Sequence, residues 1–336
     1  ALGLFDYLRK SYSGGFVVSL SGGADSAACA VLVKLMTDLA ILDLGEDRFR
    51  EKLGHIDFGN RSPMEQLLTC VYQATRNSSE TTRSAAETVA TAIGSEFQEW
   101  EIDEIVQRYH AMLEGGIGRD LDWETDDIAM QNIQARVRSP GVWMLTNIRN
   151  ALLLSTSNRS EAAVGYATMD GDTSGGLCPI SGIDKAFLRD WLRWLENTGC
   201  EPDIPAIPEL SVINAQAPTA ELRPSKENQT DEGDLMPYPV LEAIEKLAIR
   251  DKKLPAEAWT RLCETQESYS ADQLKAWAIK FFRLWSRNQW KRERYAPGFH
   301  VDDKNLDPKT WCRFPILSNG FRKEISELEK MEPPQS

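Results

Sequence analysis

The chain has 336 residues, 42% hydrophobic and 26% charged, enough apolar material for one large core or two smaller ones. Its net charge of -13 argues against a general affinity for nucleic acid, which draws on Lys and Arg at phosphates, so a nucleotide-sized anion must be held by local groups. No run approaches the roughly 18 apolar residues a membrane helix needs, and six cysteines without CxxC pairs read as reduced thiols of a cytoplasmic protein.

The sequence enters an amphipathic stretch at once, Leu4, Phe5, Tyr7, Leu8, without an initiator Met, as expected of a piece of something longer. Phe16 to Leu20 is an apolar run ending in Ser-Gly-Gly, followed by helix formers over Ala27 to Met36, which predicts strand, tight loop and buried helix. Leu68 to Ala74 repeats the unit, with a polar turn at Arg76 to Ser79 and a helical period over Thr81 to Ile93 closed by Gly94. Strands alternating with helices predict an α/β fold, a three-layer parallel sheet with helices on both faces.

Thr125, Asp126 and Asp127 supply a cap and an acidic first turn for a helix from about Ile128 to Arg138. A separate helix over Val142 to Asn150 leads into Ala151 to Ser155. Polar loops are expected from Thr156 to Asp184, and exposed loops or a lid over 199–236, rich in Pro, Asn, Gln and acidic groups. Glu242 to Phe282 returns to helical patterning. The division expected is one domain over 1–288, with an insertion at about 39–66 and an active-site loop at about 200–236, and a wrapping tail of little regular period over 289–336.

Between the first strand and helix lies Ser21-Gly22-Gly23-Ala24-Asp25-Ser26, where backbone N–H groups and the helix dipole favour an anion. It lacks the Lys of GxxxxGK[ST] and the spacing of GxGxxG. The alternative is a tight turn whose glycines and serines serve geometry only. The segment resembles the SGGxDS pyrophosphate loop of the ATP pyrophosphatases, of adenine nucleotide alpha-hydrolase-like fold. That resemblance implies ATP held by Ser19, Ser21, Gly22, Gly23, Asp25 and Ser26, with Asp25 also on Mg2+.

Further segments resemble the synthetase domain of NAD synthetases. Asn132-Ile133-Gln134-Ala135-Arg136 puts Asn132 and Arg136 on one helix face and is similar to the family's NxxAR stretch at the dinucleotide substrate. Thr156-Ser157-Asn158-Arg159-Ser160-Glu161, Gly165-Tyr166 and Asp170-Gly171-Asp172 follow the family's order and spacing, which implies Thr156 at ATP, Glu161 at Mg2+ and Asp172 at the substrate. Lys185, in Gly182-Ile183-Asp184-Lys185, matches the Lys that neutralises ATP phosphate. Pro218-Thr219-Ala220-Glu221-Leu222 and Gln229-Thr230-Asp231-Glu232 resemble a covering loop, with Thr219 at ATP and Asp231 and Glu232 on the substrate side. Lys291-Arg292 resembles a pair that approaches the dinucleotide, although Trp290 stands where His is common.

What the resemblance implies is ATP-dependent amidation of deamido-NAD to NAD through an adenylated carboxylate, releasing AMP and pyrophosphate, with Asp25 and Lys185 central. Ammonia would come free or from an N-terminal glutaminase domain, which this chain lacks, and a homodimer or higher homo-oligomer is implied. No cysteine sits in a nucleophile's context, and His55, His110 and His300 read as structural. The competing readings are another ATP pyrophosphatase amidotransferase, or a non-catalytic nucleotide-binding or assembly module. No nucleic-acid or membrane partner is expected.

Overall fold

The structure, a computed structural model, describes residues 1–200, 202–216, 231–309 and 311–334. Four strands, β1 (Phe16–Ser19), β2 (Leu68–Ala74), β3 (Glu96–Glu101) and β4 (Leu152–Leu154), form one parallel sheet in the order β3-β2-β1-β4. Their side chains alternate between faces with the period of two that a pleated strand imposes. Phe16, Val18, Cys70, Tyr72 and Leu154 pack with helices Ala24–Leu44, Glu80–Ile93 and Lys185–Asn197, whereas Val17, Val71 and Leu153 pack with Val142 of helix Asp127–Ile148. Every residue of β2 is buried, as a central strand covered on both faces requires. The expected α/β layering is therefore present.

The order of strands places the site. From β1 the chain moves outward to β2 and β3, then crosses back to add β4 on the far side of β1. The connections leaving β1 and β4 thus diverge, and the crevice at such a switch point is where open parallel sheets bind ligands.

Glu80–Ile93 has the Ser79 hydroxyl accepting from Thr82 N–H at 3.2 Å, and Gly94 ends it at φ 72°. Elsewhere the outcome departs from the sequence reading. The helix after β1 runs over Ala24–Leu44, and the rest of the expected insertion holds helices Glu46–Lys52 and Pro63–Leu67. The two helices expected on either side of Pro140 are one, Asp127–Ile148. A proline removes one backbone donor, but Val137 and Val142 are buried on either side of it, and their packing carries the helix through. Asp126 occupies the N-cap position without capping, because Arg119 takes its carboxylate at 2.6 and 2.7 Å. The segment expected as loops contains helix Arg159–Val164.

A second apolar cluster gathers helices Tyr238–Glu245, Pro255–Thr265 and Ala271–Arg287 around Trp259, Phe281 and Phe282. Ala162, Ala163 and Val164 belong to it, so helix Arg159–Val164 stands between the sheet and this cluster. The tail is more regular than expected: Gln289–Arg292 and Arg322–Lys330 are helical, and Ile325 and Leu328 are buried in the second cluster. No helix among the described residues is long and apolar enough to cross a membrane.

Candidate active site

Gly22 opens the turn after β1 at φ 82°, and a Cβ there would stand 2.2 Å from the Thr82 carbonyl oxygen, so only glycine fits. Ser26 closes the turn: its hydroxyl accepts from Ser21 N–H at 3.2 Å and donates to the Gly23 carbonyl at 3.1 Å. Gly23, the N-cap of Ala24–Leu44, has no side chain to satisfy the first-turn amides, which stay available beside the crevice. Ser19, at the end of β1, accepts from Gln73 Nε2 at 3.0 Å.

Two more helix N-termini converge on Asp25. Asn158 caps Arg159–Val164 through Oδ1, which accepts from Glu161 N–H at 2.9 Å, while its Nδ2 donates to Asp25 Oδ1 at 2.9 Å. Asp184 caps Lys185–Asn197 by accepting from Phe187 N–H at 2.8 Å. The next residue, buried Lys185, reaches back so that Nζ donates to Asp25 Oδ2 and lies 3.8 Å from Glu161 Oε1. One ammonium therefore faces two carboxylates from two different loops. Among the described residues no group of three or more His, Cys, Asp or Glu could hold a metal ion. Two carboxylates suit Mg2+, which takes one or two from protein and completes its shell with phosphate and water oxygens.

A second wall of the same cleft, about 620 Å³ in all, carries polar groups of another kind. Asn132 Oδ1 accepts from the Thr168 hydroxyl at 2.7 Å, and Asp172 Oδ2 accepts from Thr168 N–H at 2.6 Å. Burial raises the Asp172 carboxyl above its ordinary range, with the Thr168 N–H opposing. Lys291 Nζ donates to the carbonyls of Gly165 at 2.8 Å and Ala167 at 3.0 Å, and burial lowers its ammonium against the pull of Asp172. Tyr166, also on the cleft, donates its hydroxyl to Asp234 at 2.9 Å.

The cleft thus gathers Ser19, Ser21, Gly22, Gly23, Asp25, Ser26, Thr156, Glu161 and Lys185 with Asn132, Asp172 and Lys291. Arg136 is not on its wall; the guanidinium donates from Nε to the Met169 carbonyl at 3.0 Å. Glu232 is also off the wall and accepts from Tyr238 N–H at 2.8 Å. Thr219 and the side chain of Asp231 lie outside the described residues. The Cys178 thiol is pushed up to about 12 by burial and that of Cys29 well above its ordinary value, so neither supplies a thiolate.

Three cleft-side groups were not singled out from sequence. Asn158 sits inside a recognised stretch, and its capping position before Glu161 was the available signal. Arg138 lines the cleft two residues beyond Arg136. Arg189 lines it one helical turn after Lys185, the spacing that puts two side chains on one helix face. Among the described residues no hydrogen bond or ion pair engages Arg189.

A parallel sheet with a glycine-serine turn and three helix N-termini at its switch point is an α/β nucleotide-site architecture. The profile of the NAD synthase family matches residues 1–294, and the chain belongs to that family. It is 31% identical over 366 aligned positions to the glutamine-dependent NAD(+) synthetase of Oryza sativa subsp. indica, an alignment covering 97% of this chain and 48% of the rice protein. The crystal structure of a glutamine-dependent NAD(+) synthetase from Cytophaga hutchinsonii superposes with a TM-score of 0.84 at 47% identity, over 98% of this chain and 55% of that one. The NH3-dependent NAD synthetase of Campylobacter jejuni shares the fold at a TM-score of 0.53 and 19% identity, over 86% of this chain and 93% of its own. The chain spans about half the length of the curated relatives it matches.

Proposed function

We propose that this chain amidates deamido-NAD to NAD at the expense of ATP. The observation that carries the proposal is the meeting of Asp25, Asn158, Glu161 and Lys185 beside the Ser21–Ser26 turn, on one cleft with Asn132, Asp172 and Lys291. That cleft joins an anion-binding turn to a buried carboxylate on its second wall, polar groups of the kinds a triphosphate and a dinucleotide require. The relatives named as glutamine-dependent NAD(+) synthetases support NAD as the product.

In the proposed reaction the nicotinate carboxylate of deamido-NAD attacks the α-phosphorus of ATP, the bond from that phosphorus to the β-phosphate oxygen breaks, and pyrophosphate leaves. Ammonia then attacks the carbonyl carbon of the acyl adenylate; AMP departs with the bonding electron pair and the nitrogen loses a proton. The residues do little proton transfer. They position the reactants and neutralise charge, the terms that dominate phosphoryl-type transfers. The turn amides and the hydroxyls of Ser19, Ser21, Ser26 and Thr156 would receive phosphate oxygens, as would Thr219. Mg2+, held by Asp25 and Glu161, would supply further neutralisation of phosphate charge when bound. Lys185 brings a fixed cation to the α-phosphate and Arg189 a second one to the leaving pyrophosphate. Asn132, Asp172 and Lys291 would hold the dinucleotide, with Arg136, Asp231 and Glu232 at its margin.

Nitrogen would reach the site as free ammonia or from a glutaminase domain of the full-length protein. Residues 1–288 would form the synthetase unit and 289–336 its wrapping tail. We assign the apolar stripe Ile105, Tyr109, Met112, Leu113 and Ile117, exposed on helix Asp103–Ile117, to a homodimer contact. Six free cysteines accord with the cytoplasm.

The test is incubation of the chain with Mg-ATP, deamido-NAD and either ammonium or glutamine, quantifying NAD, AMP and pyrophosphate, with Asp25→Ala as control. NAD from ammonium, lost in the control, supports the proposal. AMP release only with other carboxylates would give the chain a different substrate, and ATP binding without turnover would make it a nucleotide-binding module.

A further inference from the structure

Behind the cleft, on the opposite side of the two helix N-termini that carry Glu161 and Lys185, lies a second set of charges that no step of the proposed reaction uses. Its centre is Arg159, the first residue of Arg159–Val164 and almost fully buried at 1% exposure. Its guanidinium donates from Nη2 to Asp184 Oδ2 at 2.7 Å, from Nη1 to the Gly182 carbonyl at 2.6 Å, and from Nε to Glu245 Oε2 at 3.4 Å. Nη1 also donates to both oxygens of Asp302 at 2.8 Å. Asp302 in turn accepts from Lys304 N–H at 2.8 Å, and Lys304 Nζ lies 3.6 Å from Asp184 Oδ2 and 3.9 Å from Glu242 Oε1.

A buried ion pair is by itself weak evidence for stability, since desolvation offsets most of the attraction. What distinguishes this one is what its members are bonded to. Arg159 directly follows Asn158, which holds Asp25, and precedes Glu161 by two residues; Asp184 caps the helix that Lys185 begins. The backbone joins the same two turns, with Arg159 N–H donating to Ile183 O at 2.9 Å and Lys185 N–H to Ser160 Oγ at 3.1 Å. A movement of the guanidinium therefore displaces both helix starts, and with them the cation and one carboxylate of the cleft. The outer partner comes from the tail, 143 positions further along the chain, beyond the residues 1–294 that the family profile matches.

We propose that the tail segment Asp302–Lys304 is a latch on the active centre: Asp302 and Arg159 are positioning residues that set the geometry of Lys185 and Glu161 from behind. The inference rests on the functional reading above for the meaning of that geometry, not for its existence. Asp302 is the member to change, because its side chain keeps 39% exposure and replacing it buries no new group.

The test compares Asp302→Asn and Asp302→Glu with the unchanged chain in three measurements. Steady-state NAD formation should fall about tenfold in kcat for Asp302→Asn, as expected of a slightly misplaced catalytic group, with KM for ATP and the unfolding temperature little changed; Asp302→Glu should recover most of the loss. Acylation of lysines by an amine-reactive ester, followed by mass spectrometry, should show Lys185 labelling several-fold faster in Asp302→Asn while Lys34, which is paired with Asp38 further along the helix that Asp25 begins, keeps its rate. Unchanged kcat and unchanged Lys185 labelling would overturn the latch. So would a uniform rise at all lysines with a lowered unfolding temperature, which is loosening rather than positioning. Labelling does not depend on turnover, so an unchanged chain that makes no NAD refutes the functional reading and leaves the latch to be decided by Lys185.

Discussion

Two charge clusters share the same pair of helix N-termini and differ in what they can do. The front one joins Asp25, Glu161 and Lys185 on the wall of a cleft. The rear one joins Arg159, Asp184, Glu245, Asp302 and Lys304, with side chains of Arg159, Asp184 and Glu245 at most 6% exposed. The composition is nearly the same, cations among carboxylates. The front pairs can exchange partners with an incoming phosphate, whereas Arg159, Asp184 and Glu245 at the rear have almost no solvent to turn to. Adjacent residues thus divide between chemistry and positioning, with Arg159 facing back while Asn158 holds Asp25 and Glu161 faces the cleft.

That contrast is broken most severely at Lys185. Replacing it by Met keeps most of the stem and removes the charge, leaving Asp25 and Glu161 unneutralised next to a triphosphate. NAD formation should fall by about 10²–10³-fold, the usual loss when a preorganised charge-stabilising group is deleted, with the fold intact by circular dichroism. Retention of more than about a tenth of the activity would move the chemistry away from this cation. Arg189 sharpens the comparison from within the front cluster. Among the described residues the Arg189 guanidinium has no partner to lose, so Arg189→Ala should leave the unfolding temperature unchanged. It should raise KM for ATP about tenfold, the worth of one charged hydrogen bond. An unchanged KM, or a lowered unfolding temperature, would assign Arg189 to the scaffold instead.

The sequence exposed the front cluster and concealed the rear one for a physical reason. Strand β1, the turn at Gly22 and the helix after Asp25 are local: apolar run, positive φ and helix start follow one another within about ten residues, and each leaves a compositional mark. β3 leaves no such mark. It lies at the sheet edge with Glu96, Gln98 and Glu99 in six residues, and only pairing with β2 from Thr69 to Ala74 makes it a strand. Pro140 misled in the opposite direction, since a breaker by propensity is overridden by two buried valines. In the site, Arg136 and Arg138 are two residues apart on one helix, and pattern alone does not tell which one turns inward. The Arg159–Asp302 contact has no local signature at all, because nothing near Asp302 in the chain distinguishes it from a solvated tail carboxylate.

The smallest effect expected concerns the innermost member of the rear cluster. Glu245 is fully buried, and among the described residues its Oε1 has no hydrogen-bond partner. Burial pushes its carboxyl from the ordinary 4.5 up to about 7, against the attraction of Arg159 and Lys304 and with the repulsion of Asp184. A carboxyl raised in the folded state favours folding while it is protonated. That contribution is fully present below about 4.5 and is lost as the pH climbs through about 7. Glu245→Gln keeps the shape and stays neutral, so it should match the unchanged chain at pH 5 and exceed it at pH 8. Urea unfolding across that range measures the difference, and the other titrating groups cancel between the two proteins. Parallel curves would mean that Arg159 and Lys304 hold Glu245 ionised throughout, and the rear cluster would then be as fully paired as the front one.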